Sequence, residues 1–176
     1  MKIAVIGIGK LGGALAYTLL VNHSNNTIVL FEPHGENKVR ANGEFWDLLP
    51  VANATGNKLL LAPTTPKADV YIVTSGKSRT NVKQKKEELL GLNLGIVCDC
   101  LRGASEKAMV YIATNPPKEI CKGLERFGIK AKPLRACTDS LRGRDAPRTN
   151  RRAFVGKGFT QWTPAFAMVK EIMEGE

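Results

Sequence analysis

Three glycines, in Gly7-Ile-Gly-Lys-Leu-Gly12, carry the first chemistry in this sequence. They follow the apolar run Ile3-Ala-Val-Ile6 and precede residues with helical spacing, a pattern that predicts strand, tight turn and helix. In such a turn Gly7 permits the sharp bend, Gly9 lets a pyrophosphate approach the main chain, and Gly12 lets the helix lie close to the strand. The helix N-terminus, beginning at Lys10 and Leu11, then offers unpaired N–H groups and a partial positive charge to an anion. A second strand, Thr27 to Phe31, ends in Glu32, twenty positions after Gly12. A carboxylate there accepts both hydroxyls of an adenosine ribose and repels a 2′-phosphate, which predicts NAD in preference to NADP. A lone glycine pattern also describes an ordinary βα turn. It is strand, helix and acid in order that point to a dinucleotide.

The remaining chemistry-bearing residues form no comparable pattern. Cys98, Cys100, Cys121 and Cys137 lack the spacing of a zinc site, since two residues apart on a helix places Cys98 and Cys100 on different faces, and they read as buried thiols. His23 and His34 read as solvated surface histidines. The formal charge of +10 raises the question of an anionic macromolecule. However, the basic residues are scattered, the one cluster from Arg142 to Lys157 has no aromatic-rich motif beside it, and a solvated surface is favoured over nucleic acid binding. No apolar stretch reaches the roughly 18 residues of a membrane span. The N-terminus also lacks a small-residue cleavage site, so the expectation is a cytoplasmic protein with no membrane partner and no metal.

These residues must be positioned by alternating elements. Lys10 to Val21 reads as a helix with Leu11, Leu15, Tyr17, Thr18 and Leu19 on an apolar face, and Asn37 to Leu49 as a second helix stopped by Pro50. Lys58 to Ala62 and Asp69 to Thr74 read as strands. A polar loop from Ser75 leads into a helix over about 83–103, and Ala108 to Ala113 is a fifth strand. Lys118 to Phe127 is helical, Ile129 to Ala136 extended, and Thr163-Pro164 opens a last amphipathic helix carrying Phe166, Met168, Val169, Ile172 and Met173. The alternation predicts an α/β fold: a doubly wound, six-stranded parallel sheet of the Rossmann type with a short C-terminal helical extension. The length suits one such domain.

The sequence resembles the lactate and malate dehydrogenase family, particularly its archaeal malate dehydrogenase-like branch. The resemblance rests on Gly7-Ile-Gly-Lys-Leu-Gly12, Phe31-Glu32, Gly43-Glu-Phe-Trp-Asp-Leu-Leu49, Val73-Thr-Ser-Gly-Lys-Ser-Arg79, Asn93, Thr114-Asn-Pro116, Thr138-Asp-Ser-Leu-Arg142 and Lys157-Gly-Phe-Thr160, in order. It implies that Thr74, Ser75 and Gly76 line the ribose side of the cofactor with Asn93 beside it. Asn115 would lie near the nicotinamide and the substrate oxygen, and Arg79 would meet a substrate carboxylate. Asp139 and Arg142 match the family's catalytic aspartate and its carboxylate-gripping arginine. Lys85 stands where the family has an arginine that polarises the substrate carbonyl; it keeps the charge and loses the fork.

The family's catalytic histidine has no counterpart, since the matching stretch is Gly156-Lys-Gly158. The resemblance therefore implies an NAD-binding domain over 1–136 and a remnant of the catalytic domain over 137–176, whose last helix packs on the first domain. Two functions follow from it. One is an NAD-binding protein with impaired catalysis. The other is a small dehydrogenase acting on a dicarboxylate or 2-oxo acid through Arg79, Asn115, Asp139 and Arg142. The resemblance also places the helix of Phe45 and Trp46 and the final helix at one subunit interface, implying a homodimer.

Overall fold

The computed structural model describes residues 1–78, 86–134 and 161–174. Six strands form one parallel sheet in the order β3-β2-β1-β4-β5-β6. They are β1 (Lys2–Ile6), β2 (Thr27–Phe31), β3 (Lys58–Ala62), β4 (Val70–Val73), β5 (Met109–Ile112) and β6 (Ala131–Pro133). The order reverses between β1 and β4, so the chain leaves their C-terminal ends in opposite directions and opens a crevice there.

Strand alternation sends side chains into two cores. Ile3, Val5, Ile28, Leu30 and Ile72 point to one face, where α1 (Lys10–Asn22), α2 (Lys38–Ala54) and α5 (Trp162–Glu174) cover them. Ala4, Ile6, Phe31, Tyr71, Val73 and Ile112 point to the other, under α3 (Leu90–Leu101) and α4 (Pro117–Glu125). Central strands covered on both faces need apolar side chains at every position, which accounts for Ile-Ala-Val-Ile in β1 and Val-Tyr-Ile-Val in β4.

The second helix departs from the expectation. Pro50 does not stop it; α2 continues through Pro50 to Ala54. Proline removes one hydrogen bond on the exposed side of a helix that is anchored by Leu48 and Ala52 in the core. The end comes at Thr55, whose N–H and hydroxyl both reach the Val51 carbonyl, at 3.0 and 2.8 Å, before Gly56 turns the chain at φ 70°.

The final helix packs along α1, with Ala165, Met168, Val169 and Ile172 in the first core. Two apolar assignments need correction. Tyr17 on α1 and Phe166 on α5 are exposed, and Tyr17 instead meets the Trp162 ring edge-on at 6.0 Å. The described part of the third helix is a short 3-10 turn, Lys86–Leu89, running into α3. No described helix is long and apolar enough to cross a membrane.

Candidate dinucleotide site

The glycines of the β1–α1 turn make room in three distinct ways. Gly7 has φ 90°, and a Cβ there would lie 2.5 Å from the Ser75 nitrogen, so both conformation and space demand glycine. A Cβ on Gly12 would collide with the Gly7 carbonyl and come within 2.9 Å of Thr74 Oγ1, which fixes the close approach of α1 to the strand ends. Gly9 is different: its backbone is extended, with φ −85°, and among the described residues only Arg40 comes near the space beside it. Gly9 is also the N-cap of α1 and supplies no side-chain cap. The Gly13 N–H bonds to the Gly9 carbonyl at 2.8 Å, and the N–H groups at the start of a helix have no acceptor further back in it.

Glu32 lies at the end of β2, 5% exposed. Its Oε2 accepts the Ile8 N–H at 2.8 Å and its Oε1 the His34 N–H at 3.1 Å. Two main-chain donors offset the loss of hydration that a buried carboxylate suffers and fix it against the glycine turn. Each oxygen retains a lone pair, so the carboxylate can still receive two ribose hydroxyls. A groove of about 230 Å³ begins at Glu32 and is lined by Lys38, Ala41, Leu61, Ala62 and Pro63.

Across the crevice, the ends of β4 and β5 are joined by side chains. Thr74 Oγ1 bonds to the Gly7 carbonyl at 2.6 Å and lies 3.2 Å from that of Ile6, bracing the first turn from below. Thr114 Oγ1 donates to the Ser75 carbonyl at 2.7 Å. A Cβ on Gly76 would press on Thr114 at 2.5 Å and on Asn93 at 3.1 Å.

Asn93, fully buried on α3, accepts the Lys77 N–H at 2.7 Å and donates to the carbonyls of Lys77 at 3.1 Å and Asn115 at 2.7 Å. With both ends of its amide engaged by main chain, Asn93 holds the two loops together. Its polar atoms face the loops and not the open crevice. The Asn115 side chain is exposed and has no hydrogen-bond partner among the described residues, and the Asn115–Pro116 peptide is cis.

Spacing alone did not reveal three further features. His34 Nε2 lies 3.2 Å from Ser75 Oγ, which ties the segment after Glu32 to the far side of the crevice. Cys100 on α3 shares that neighbourhood: burial pushes its thiol from 9.0 up to about 11, a hydrogen bond with Ser75 opposes the rise, and the charges of Glu32 and Asp99 add to it. Arg40, in the first turn and a half of α2, reaches Gly9. A basic residue eight positions after Glu32, on the next helix, was the available signal for it.

The structure thus brings together Gly7, Gly9, Lys10, Leu11, Gly12, Glu32, Thr74, Ser75, Gly76, Asn93 and Asn115 at the C-terminal edge of the sheet. Arg79, Lys85, Asp139 and Arg142 lie outside the described residues, as does the 136/137 boundary. A dinucleotide fits what is described: an open glycine at a helix N-terminus for its diphosphate and a held carboxylate for its ribose.

Comparison with known proteins agrees. The model of the lactate/malate dehydrogenase NAD binding domain matches residues 1–132. A probable malate dehydrogenase of Campylobacter jejuni is 30% identical over 134 residues, which are 73% of this chain and 44% of that protein. An L-lactate dehydrogenase of Nitratidesulfovibrio vulgaris is 31% identical over 121 residues, covering 65% of this chain and 38% of its own. This chain thus matches about two fifths of the length of these relatives. Among solved structures, Cryptosporidium parvum malate dehydrogenase aligns with a TM-score of 0.66 at 20% identity, over 99% of this chain and 68% of that one. The minor L-lactate dehydrogenase of Enterococcus mundtii aligns at 0.76 and 14%, over 97% and 76%. At those identities the two structures speak for the fold. The chain belongs to the lactate/malate dehydrogenase family, whose NAD-binding domain it carries, and its cofactor is NAD.

Proposed function

We propose that this protein binds NAD(H) with a preference over NADP(H), and turns over 2-oxo acids slightly or not at all. The observation that carries the preference is the buried Glu32 carboxylate, held 2.8 Å from the Ile8 N–H within the glycine turn. A 2′-phosphate brought to that place meets a fixed negative charge. In this reading Gly9, Lys10, Leu11 and Gly12 receive the diphosphate on main-chain N–H groups. Thr74, Ser75, Gly76 and Asn115 flank the nicotinamide half, and Asn93 acts by holding their loops.

The bound nicotinamide would supply or accept hydride, while the protein must move a proton on the alcohol oxygen. The chain's two histidines are poorly placed for that. His23 follows α1 at the N-terminal edge of the sheet, where its carbonyl accepts from Asn57. His34 is engaged with Ser75 beside Glu32, on the adenosine side. The second reading, a small malate or 2-hydroxy acid dehydrogenase, is favoured by the exposed Asn115 amide, which has no hydrogen-bond partner among the described residues, with Arg79, Asp139 and Arg142 in the roles the family implies.

Fluorescence titration with NADH and NADPH tests the cofactor preference, and Glu32→Ala should narrow it. Equal affinities in the unmutated protein would refute the preference. An oxaloacetate or pyruvate assay on the same sample tests the rest. Turnover near about 10 per second, an ordinary enzyme rate, would establish the second reading.

The proposal extends to a homodimer through α2 and α5. Trp46 is 61% exposed and Trp162 54%, with Phe166 and Tyr17 also exposed on this side. Val169 and Met173, in contrast, are occupied by their own domain. A monomeric mass in light scattering at micromolar concentration would defeat the dimer. The unpaired thiols Cys100 and Cys121 suit a reducing compartment, which supports placement in the cytoplasm.

A further inference from the structure

We propose that Arg40 is a diphosphate ligand: from α2, its guanidinium reaches over the Gly9 turn and pairs with the phosphates of the bound dinucleotide. The inference rests on the NAD-binding reading and adds to it a side chain that the glycine pattern does not specify. Arg40 Nη2 stands 3.6 Å from the point where a Cβ on Gly9 would be, and among the described residues nothing else lies within 4 Å of that point outside Gly9's own chain neighbours. Gly9 is where the main chain must be approached by phosphate.

The charges around Arg40 leave its guanidinium available to an anion. α1 carries no acidic residue in its first turn, and the carboxylate beside its N-terminus is that of Glu32, on the Ile8 N–H. Arg40 has Glu44 one turn further along α2, a spacing at which helices commonly form ion pairs. Yet Arg40 forms no ion pair among the described residues. Glu44 is drawn elsewhere: its Oε2 lies 3.2 Å from the place a Cβ on Gly13 would take, against the body of α1. The result is a cation directed at the positive end of a helix, with its own acidic neighbour turned aside.

A diphosphate carrying two negative charges between the helix end and the guanidinium would be attracted by both. The planar fork of arginine can hold two phosphate oxygens at once. Arg40 stands on a regular helix, so less freedom is lost on pairing than for a cation on a loop.

The test uses the full chain, its Arg40→Ala and Arg40→Lys variants, and displacement of NADH by adenosine, AMP and ADP-ribose. Arg40→Ala should weaken NADH and ADP-ribose by about tenfold or more, the scale of a lost charge-assisted hydrogen bond. Adenosine should change less than about twofold, and Arg40→Lys should restore only part of the loss. Unchanged ADP-ribose affinity in a variant that still binds would overturn the assignment and leave the cofactor reading intact. An equal loss for adenosine would overturn it by showing a disturbed fold. A loss confined to NADPH would overturn it in favour of a 2′-phosphate contact. Unmutated protein that binds none of these nucleotides would overturn both readings together.

Discussion

The two loop systems that meet at the strand reversal are closed by opposite means. On the β1–α1 side closure is achieved by removing side chains: Gly7, Gly12 and Gly13 let main chain and neighbouring groups approach to contact. On the β4–β5 side it is achieved by adding them, with Thr74, Thr114 and Asn93 carrying hydroxyls and an amide to main-chain atoms. The first device allows a ligand to touch the backbone. The second holds a loop that must present side chains, and it can be loosened one hydrogen bond at a time. The glycine side should therefore fail abruptly under substitution and the amide side by degrees.

The largest effect is expected at Gly12. A side chain there meets the Gly7 carbonyl and Thr74, so neither α1 nor the strand end can keep its place. Gly12→Val should cost about 3 kcal/mol or more, beyond ordinary overpacking because the obstructing group is backbone. Thermal melts and NADH titration would both register the loss. A variant with unchanged midpoint and affinity would show that the close approach is dispensable.

The same contrast explains what the sequence made legible. Glycines must recur at fixed spacing because the turn geometry is local, so Gly7, Gly9 and Gly12 are legible in the sequence. β2 and β3 were bounded by polar residues and read with their observed limits. The partners of Asn93 are main-chain atoms sixteen and twenty-two residues away. No spacing rule announces them; the resemblance to the family singled out Asn93, and the structure adds that it braces two loops. Pro50 misled because proline weighs against a helix locally, whereas burial of Leu48 and Ala52 outweighs one missing bond. Arg40 was missed because its meaning lies in α2 crossing α1, a tertiary fact.

Next in size is Asn93→Leu. The substitution keeps the volume roughly constant but removes the amide partner of the Lys77 N–H and of the Asn115 carbonyl. Unsatisfied groups cost about 1–3 kcal/mol each, so a total of about 2–4 kcal/mol is expected in urea unfolding. NADH affinity should fall as well, because the loops after β4 and β5 lose their common anchor. A change below about 1 kcal/mol would mean that the two loops are held by something other than this amide.

Smaller again is an alkaline effect from the thiols. Burial pushes both Cys100 and Cys121 up to about 11, with Glu125 adding to Cys121. The folded protein thus keeps protons that the unfolded chain releases near 9, and this contribution to stability is intact below pH 9 and lost as pH rises towards 11. Unfolding measured at pH 8, 10 and 11 should show a steeper decline in the parent than in Cys100→Ala. Identical slopes would deny the buried thiol any part in it. Cys100 lies near Ser75, so its modification by a thiol reagent at pH 8 also reports on the amide side. It should be slow in the parent and faster in Asn93→Leu.

The smallest effect on stability should come from Asn115→Ala, although Asn115 is bonded directly to the most demanding amide in the site. Asn93 holds the Asn115 carbonyl, which any residue supplies, while the Asn115 side chain is exposed and makes no hydrogen bond among the described residues. Removing it should shift unfolding by no more than about 0.5 kcal/mol, as for a surface position without special contacts. Its cost should appear in ligand affinity alone. NADH binding weakened several-fold at unchanged stability would separate a residue that presents its side chain to the cofactor from Asn93, which only positions it. Loss of stability comparable to Asn93→Leu would instead make Asn115 part of the brace, and the distinction between holding and presenting would collapse on this side of the crevice.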